Sequence, residues 1–370
     1  MSLGPFEAKN GKISFKGNKV FHSIDDVKNI YAPDLSQRHM DLVLNGKKWK
    51  NLVLIFNGLK TATESFMKQD GALAFDLPIT TRMISSPGAL NGTIPSDVDP
   101  FRLNFFGKET FLTQSSQLYL EFAINISGID KVYCFDKSFR MEKADFRHLP
   151  EFTHIEYEGH TDFGKNIEIQ EKYLKYVIKY LCEKCEDSLM FFLTDQDFEE
   201  LKNLANINRF ERITFTEAFE LLRKMTNDTK YSNVSIRNFT AYEEILLTQF
   251  FKNKPVFVTH FIADEVAFYH ALDKNNPALA VNADLLFPGY GEIIGSGERI
   301  NTRSDTEKKA KHFQLNMNDY RAYIESRDVN NPRIHSGWGM GVERFIQALL
   351  KLPFIWETKA FPRVDNSDRP

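Results

Sequence analysis

Residues 335–345 read His-Ser-Gly-Trp-Gly-Met-Gly-Val-Glu-Arg-Phe, and this stretch does the most to decide the fold. Three glycines, Gly337, Gly339 and Gly341, alternate with larger residues, and an apolar run follows them. Alternating glycines are typical of a strand that a ligand or another backbone approaches closely. Arg344 stands at the entry to the following helix, and its guanidinium can stack on a ring or fork onto a phosphate. The stretch predicts a nucleotide platform or, as the alternative, a tight strand-to-helix junction.

Composition places the chain among globular proteins with a substantial core. It has 370 residues, of which 42% are hydrophobic and 26% charged, and 33 are phenylalanines. The net charge of −3 gives no global signature of nucleic-acid binding, although it leaves room for a local basic face. No apolar run has the length of a membrane span. The three cysteines are few and odd in number, which predicts a reducing compartment and therefore a cytoplasmic protein.

The order of the predicted elements favours an α+β domain with a mostly antiparallel sheet flanked by helices. Residues 1–30 are predicted to form a short N-terminal segment, and residues 31–370 one large domain. Periodicity predicts helices over 51–69, 115–128, 167–186, 215–225 and 242–251. Alternating or β-rich runs predict strands over 72–77, 101–106, 110–112, 131–140, 152–158, 255–259 and 278–287, and the last third is predicted to be mostly strand before the motif.

Residues 139–158 carry a second concentration of polar chemistry. Arg140 ends a predicted strand, Arg147 and His148 lie on the following loop, and Phe152 begins the next strand. Arginines at such positions can neutralise charge that develops on a transferred phosphate. Phe152 can stack on a base, and Glu142 can accept a proton from an exocyclic amine. The alternative is a solvated, charged hairpin.

Residues 282–299 form the third such segment. Asp284 and Glu292 flank a Pro-Gly turn in apolar surroundings. Two carboxylates in this setting suit Mg²⁺, which binds one or two carboxylates together with phosphate oxygens. A hairpin with incidental acids is the alternative. Arg299 follows a Gly-Ser-Gly sequence and is a candidate clamp for a carboxylate.

Together these segments resemble the class II aminoacyl-tRNA synthetases. The stretch from Arg140 to Glu158 is similar to motif 2 of that family, the stretch from Gly337 to Arg344 to motif 3, and the helix and strand over 51–78 to motif 1, the usual dimer element. Five further stretches resemble the aspartyl and asparaginyl subgroup: 111–121, 212–222, 255–259, 291–295 and 361–363.

The resemblance implies a role for each candidate residue. Arg140 is expected to hold the α-phosphate of ATP, Glu142 to contact adenine, and Phe152 and Arg344 to enclose the base. The remaining implied contacts are Arg147 and His148 with the outer phosphates, Gly339 and Gly341 with the nucleotide, and Asp284 and Glu292 with Mg²⁺.

Gln117, Glu121 and Arg299 are the residues expected to bind the amino acid. Aspartyl enzymes usually carry a lysine where this chain has Leu120, followed by Glu121. An amide NH₂ needs an acceptor, which a carboxylate supplies, whereas a substrate carboxylate needs a cation. This difference favours asparagine over aspartate.

Two departures from the family pattern keep other functions open. About thirty residues precede the core, too few for the family's anticodon-binding barrel. The loop over 85–97 lacks the glutamate that seats the substrate α-amine in the family, and Asp97 or Asp99 is the candidate substitute. The leading hypothesis is an asparagine–tRNA ligase that is a homodimer and contacts the tRNA acceptor arm. The alternatives are a stand-alone enzyme that makes asparagine from aspartyl-adenylate and ammonia, and a non-catalytic binding or regulatory paralogue.

Overall fold

The computed structural model describes residues 4–85, 99–226, 231, 238–252, 254–328 and 332–367. The strands there are β1 (Phe6–Lys9), β2 (Lys12–Phe15), β3 (Leu73–Ala74), β4 (Thr80–Thr81), β5 (Arg102–Phe105), β6 (Lys108–Leu112), β7 (Lys131–Phe139), β8 (Glu151–Gly159), β9 (Glu211–Thr214), β10 (Val256–Thr259), β11 (Asn282–Phe287), β12 (Gly291–Glu298) and β13 (Ser336–Gly341). The α-helices are α1 (Arg38–Leu44), α2 (Gly46–Asp70), α3 (Gln117–Ala123), α4 (Phe163–Lys184), α5 (Glu186–Phe192), α6 (Asp195–Ala205), α7 (Phe215–Thr226), α8 (Ala241–Phe250), α9 (Arg303–His312), α10 (Met317–Glu325) and α11 (Val342–Leu349).

One eight-stranded sheet organises the molecule, in the order β3-β7-β8-β13-β12-β11-β10-β9. The five inner pairings are antiparallel, and only the two outermost, β3 with β7 and β9 with β10, are parallel. The prediction of an α+β fold with a mostly antiparallel sheet is confirmed. The glycine-rich strand β13 lies near the middle of the sheet, between β8 and β12.

The two faces of the sheet differ because side chains alternate along each strand. Ile155, Tyr157, Trp338 and Met340 point to one face, where none of them is exposed. The ring of Trp338 stacks on Tyr157, with centroids 5.7 Å apart, and helices α2 and α4 pack together on this side. The intervening residues of β8 and β13 therefore face the opposite side.

Several predicted boundaries differ from the structure. The strand predicted over 72–77 is restricted to Leu73–Ala74, because this edge strand pairs only with β7. Helices α1, α5, α6, α9 and α10 were not predicted, and the expectation that the last third is mostly strand is wrong. Helix α9 has few apolar residues to give a periodic signal. Its start is marked by Thr302, whose side chain caps the backbone N–H of Asp305.

The first described residues form a hairpin, β1–β2, that is joined to α8. The N–H of Ala8 donates to Oε1 of Gln249 at 2.5 Å. Among the helices of the described residues, none is both long enough and apolar enough to cross a bilayer.

Candidate active site

The alternation in β8 and β13 builds the floor of the site. Phe152, His154, Glu156 and Glu158 share one face of β8, and Gly341, Gly339 and Gly337 stand opposite the last three of these. A Cβ added at Gly337 would clash with Oε2 of Glu158 and with the carbonyl oxygen of Tyr157. The glycine pattern therefore makes room for a buried carboxyl group as well as for a ligand.

A cleft above this floor collects all eight residues that were predicted to bind ATP. Phe152 comes from β8, Arg140 and Glu142 come from the segment that follows β7, and Arg344 comes from the first turn of α11. The full lining is Arg140, Glu142, Arg147, His148, Leu149, Phe152, His154, Glu292, Ile293, Gly339, Gly341, Glu343, Arg344 and Ile355.

Arginines and one aromatic ring define the geometry of the cleft. The guanidinium of Arg140 lies 5.4 Å from the centroid of the Phe152 ring. Nη1 of Arg344 donates to the carbonyl oxygen of Glu292 at 2.8 Å and lies 3.1 Å from its Oε2. Both cations thus border the same space as the ring, an arrangement suited to a planar base attached to phosphates.

Arg147 and His148 are fixed more firmly than their predicted loop position suggested. Arg147 is buried, and its Nη1 and Nη2 lie 2.6 and 3.4 Å from the two carboxylate oxygens of Glu244 in α8. Glu244 also accepts from the backbone N–H of Glu292 at 2.9 Å. His148 lies 2.9 Å from the carboxylate of Asp145 through Nδ1. Glu244 was not predicted, since 97 residues separate it from Arg147.

Asp284 and Glu292 approach each other across the β11–β12 pair. A Cβ built on Gly295 would lie 3.2 Å from Oε1 of Glu292 and 3.7 Å from Oδ1 of Asp284. Burial, with Glu292 and Glu244 nearby, raises the pKa of Asp284 well above its ordinary value. Burial also acts on Glu292, but Arg344, Arg147 and Arg140 outweigh it and lower the pKa of that carboxyl. Within the described ranges, no group of three or more His, Cys, Asp or Glu residues forms a metal cage.

The three residues predicted to bind the amino acid form a second, buried cluster around Glu158. Nε2 of Gln117 donates to Oε2 of Glu158 and lies 3.4 Å from Oε1 of Glu121. Nε of Arg299 donates to Oε2 of Glu158 at 3.3 Å. The side chains of Glu121 and Glu158 are both 0% exposed. The structure therefore brings Gln117, Glu121 and Arg299 together, with Glu158 at the centre.

The pKa values of the two buried carboxyl groups are shifted in opposite directions. Burial opposes ionisation of Glu121, yet Arg327 and His335 lower its pKa to about 2. Burial and the negative charge of Glu121 raise the pKa of Glu158 to about 8, although Arg299 acts the other way. Groups with pKa values displaced in this way are concentrated at functional sites.

Sequence reasoning missed several residues that shape the site. His154 lines the nucleotide cleft, and burial next to Arg140 and Arg344 lowers its pKa to about 3, so the imidazole is neutral. The period of two in β8 was the available signal for His154, because Phe152 and Glu156 flank it on the same face. Arg327, Tyr323 and His335 surround Glu121, and no local sequence pattern connects them with it.

The loop that was expected to seat the α-amine lies largely outside the described residues. Asp97 belongs to this part of the chain. Asp99 is described and exposed, and its carbonyl oxygen accepts from the N–H of Met141 at 3.0 Å.

The mostly antiparallel sheet, with its arginine-lined cleft and neighbouring buried carboxyl cluster, agrees with the class II synthetase motifs found in the sequence. The chain belongs to the family described as tRNA synthetases class II (D, K and N), whose profile matches residues 32–365. An asparagine–tRNA ligase of Clostridium tetani is 36% identical over 272 residues, which cover 72% of this chain and 58% of the relative. That of Clostridium botulinum is 36% identical over 287 residues, covering 76% and 60%. The chain thus spans less than two thirds of the length of these relatives.

Solved structures give the same fold. The asparaginyl-tRNA synthetase of Pyrococcus horikoshii complexed with asparaginyl-adenylate superposes with a TM-score of 0.81 and 28% identity, covering 97% of this chain and 79% of that one. The asparaginyl-tRNA synthetase of Entamoeba histolytica, at 23% identity, superposes with a TM-score of 0.78, and the match covers 99% of this chain and 84% of that one.

Proposed function

We propose that the protein activates asparagine with ATP and transfers the asparaginyl group from the adenylate to tRNA. The observation that carries this proposal is the layout of β8, which contributes Phe152 and His154 to an arginine-lined cleft and Glu158 to a buried cluster with Gln117 and Arg299. Successive residues on one face of a strand are about 7 Å apart. A nucleotide and an amino acid bound at the two ends of this face would meet near Glu156. The names of the relatives support the same reaction.

In this proposal the cleft binds ATP and stabilises the transition state of adenylation. A carboxylate oxygen of asparagine attacks the α-phosphorus, forming a new P–O bond as the bond to the pyrophosphate oxygen breaks. Arg140 neutralises charge on the α-phosphate, Phe152 and Arg344 enclose adenine, and Glu142 accepts from its amine. Gly339 and Gly341 line the floor beneath the nucleotide. Preorganised cations of this kind lower the barrier without a covalent enzyme intermediate.

The outer phosphates are the proposed ligands of Arg147 and His148. Arg147 is paired with Glu244, so phosphate oxygens would compete with that carboxylate. Both side chains line the same cleft as Arg140, Phe152 and Arg344, which supports their assignment to ATP rather than to the amino acid.

Asp284 and Glu292 would hold Mg²⁺. Their carboxylates converge over Gly295, and burial together with Glu292 and Glu244 raises the pKa of Asp284 although Arg344 acts the other way. Two carboxylates without a third protein ligand fit Mg²⁺, which completes its octahedron with water and phosphate oxygens. The ion would supply charge neutralisation for the departing pyrophosphate.

For the asparagine side chain, we propose Glu158 as the acceptor of the amide NH₂ and Arg299 as the donor to its oxygen. The sequence favoured Glu121 for the first role, but one oxygen of Glu121 already accepts from Arg327, Tyr323 and His335. Oε1 of Glu158 is buried and has no donor among the described residues. When Glu158 is ionised, this oxygen is a buried acceptor with no partner and favours a substrate that donates, whereas aspartate would add a negative charge beside two carboxyl groups.

A homodimer built on the motif 1 region is also proposed. Helices α1 and α2 and strand β3 expose Val43, Leu44, Val53, Leu54 and Leu73, each between 45% and 76%. Several large apolar side chains on neighbouring elements are typical of a protein interface. We also propose contact with the tRNA acceptor arm and a cytoplasmic location. The location is supported by the three cysteines, which form no disulfide.

The acceptor of the asparaginyl group decides between the candidate functions. Radiolabelled asparagine, ATP and total tRNA should give acid-precipitable asparaginyl-tRNA. Formation of free asparagine from aspartate, ATP and ammonia would support a stand-alone asparagine synthetase instead. If neither amino acid supports ATP–pyrophosphate exchange, the protein is a non-catalytic paralogue and the proposal fails.

A further inference from the structure

Arg327 and Glu121 form a buried ion pair that lies behind the proposed asparagine site. Glu121 is part of α3, whereas Arg327 follows the end of α10, 206 residues further along the chain. Their side chains are 0% and 3% exposed. The same carboxylate oxygen accepts from Tyr323 Oη at 2.9 Å and from Nε2 of His335 at 3.2 Å. An ionised carboxylate is retained at such depth only with partners of this kind.

Gln117 connects this ion pair to Glu158. It lies one helical turn before Glu121 on α3, and its Nε2 faces both Glu121 and Glu158. A carboxamide NH₂ has two hydrogens, so each carboxylate can take one of them. The orientation of the Gln117 amide therefore depends on Glu121 being ionised and held in place.

We propose that Arg327 is a positioning residue for asparagine, acting through Glu121 and Gln117 on the carboxyl group of Glu158. This inference rests on the proposed function. It assigns Arg327 no contact with the substrate. The guanidinium of Arg327 lies 4.6 Å from the centroid of the Tyr323 ring. The hydroxyl group of Tyr323 donates to Glu121, so this tyrosine contacts both members of the ion pair. The opposite pKa shifts of Glu121 and Glu158 agree with this arrangement, in which Arg327 forms its ion pair with Glu121 and Arg299 forms its own with Glu158.

The test is ATP–pyrophosphate exchange by the full chain with Arg327→Met, analysed separately for each substrate. Loss of the guanidinium leaves Glu121 without its main partner, so Gln117 and Glu158 lose their orientation. We expect the KM for asparagine to rise roughly 10- to 100-fold, the effect of one lost buried polar contact. The KM for ATP should stay within about twofold, because the nucleotide cleft contains none of these groups.

Two further variants separate positioning from a general loss of structure. Arg303→Met removes an exposed arginine, paired with Asp328 at 2.7 Å, and should leave both KM values unchanged. The double variant Arg327→Met with Glu121→Gln removes the uncompensated charge. If Arg327 acts through Glu121, the KM for asparagine should be lower in the double variant than in Arg327→Met alone.

If Arg327→Met does not fold, Arg327→Lys and Tyr323→Phe decide the question. Arg327→Lys keeps the positive charge and Tyr323→Phe keeps the aromatic ring, but each weakens the hydrogen bonds to Glu121. Each should raise the KM for asparagine a few-fold and leave the KM for ATP unchanged. An unchanged asparagine KM in the folded variants, or a parallel rise in the KM for ATP, would overturn the inference while leaving the proposed function intact. If the wild-type protein shows no asparagine-dependent exchange, the proposed function fails and the inference fails with it.

Discussion

At the scale of single residues, Gly337 shows why a glycine pattern is needed at this site. Its hydrogen atom faces the carboxyl group of Glu158 on the neighbouring strand, and any larger side chain would displace that group. Gly339, two residues further on, has only ordinary contact distance to Glu156, with Cγ 3.5 Å from an added Cβ. The two glycines thus serve different neighbours although they share one face of β13.

The paired variants Gly337→Ala and Gly339→Ala test this difference. Gly337→Ala should lower the free energy of unfolding by about 1–3 kcal/mol, because it overpacks a closed space. Gly339→Ala should leave that free energy nearly unchanged and instead raise the KM for ATP, since its Cβ enters the cleft. Urea denaturation and exchange kinetics measure both effects. Equal losses of stability in the two variants would contradict the assignment.

Glu158 should make stability depend on pH in the ligand-free protein. Its pKa is raised from 4.5 to about 8, so between these values the unfolded chain loses a proton that the folded chain keeps. The free energy of unfolding should therefore fall as the pH rises from 4.5 to about 8. Glu158→Gln should remove this contribution and flatten the profile measured by urea denaturation.

Glu183→Gln, on the exposed surface of α4, is the matched control and should follow the wild-type profile. If Glu158→Gln also runs parallel to the wild type, Glu158 is not protonated in the folded state. The proposed acceptor would then be a carboxylate over the whole range.

The residues of the nucleotide cleft were predictable because their signals are local. Alternating glycines, an arginine at a strand end and an aromatic twelve residues later can be found without a structure, and all eight predicted residues line one cleft. Arg327 and Glu244 were not predictable. Each acts through a partner about one hundred residues or more away, and nothing near either residue marks it as part of a site.

At the scale of elements, α8 has a role that its sequence pattern does not show. It fixes Arg147 through Glu244 and joins the β1–β2 hairpin to the sheet through Gln249. Because Glu244 occupies both terminal nitrogens of Arg147, a bound polyphosphate would have to take over part of this ion pair.

Glu244→Gln tests whether that competition exists. A neutral amide holds Arg147 less tightly, so the KM for ATP should fall about two- to fivefold while the free energy of unfolding drops by roughly 1–3 kcal/mol. Exchange kinetics and urea denaturation are the measurements, and Glu220→Gln on the exposed side of α7 is the control. A rise in the KM for ATP would mean that Glu244 holds Arg147 in its binding position instead.

Prediction at this scale succeeded where apolar periodicity is strong and failed where it is weak. The helix predicted over 51–69 lies within α2, which ends at Gly71 with a left-handed backbone. Helix α9 was missed because its ten residues, Arg303–His312, include one alanine and no other aliphatic side chain. The sequence signal for the start of this helix was its capping residue, Thr302.

At the scale of the whole molecule, the central sheet and its antiparallel character followed from the sequence of elements. Of its two edge strands, β9 was not predicted, and the strand predicted over 72–77 is shortened to β3, because each of these short strands pairs with the sheet on one side only. The division into a segment over 1–30 and a domain over 31–370 stays a prediction.

The association state is the prediction that belongs to this scale. The wild-type protein should have twice the 42.9 kDa mass of one chain in sedimentation equilibrium. Leu44→Glu should produce a monomer, since it places a charge among the exposed apolar side chains of α1 and α2. Ile126→Glu, at a position that is also half exposed but lies on another surface, should leave the dimer intact. A monomeric wild type, or dissociation by both variants, would contradict the proposed interface.

The most direct measurement of the central claim is ATP–pyrophosphate exchange with asparagine and aspartate in parallel, by the wild-type protein and by Arg140→Ala. We expect exchange that depends on asparagine, little or none with aspartate, and its loss in Arg140→Ala, with Arg303→Ala retaining full activity. Exchange that prefers aspartate, or that persists in Arg140→Ala, would contradict the proposed site and its substrate.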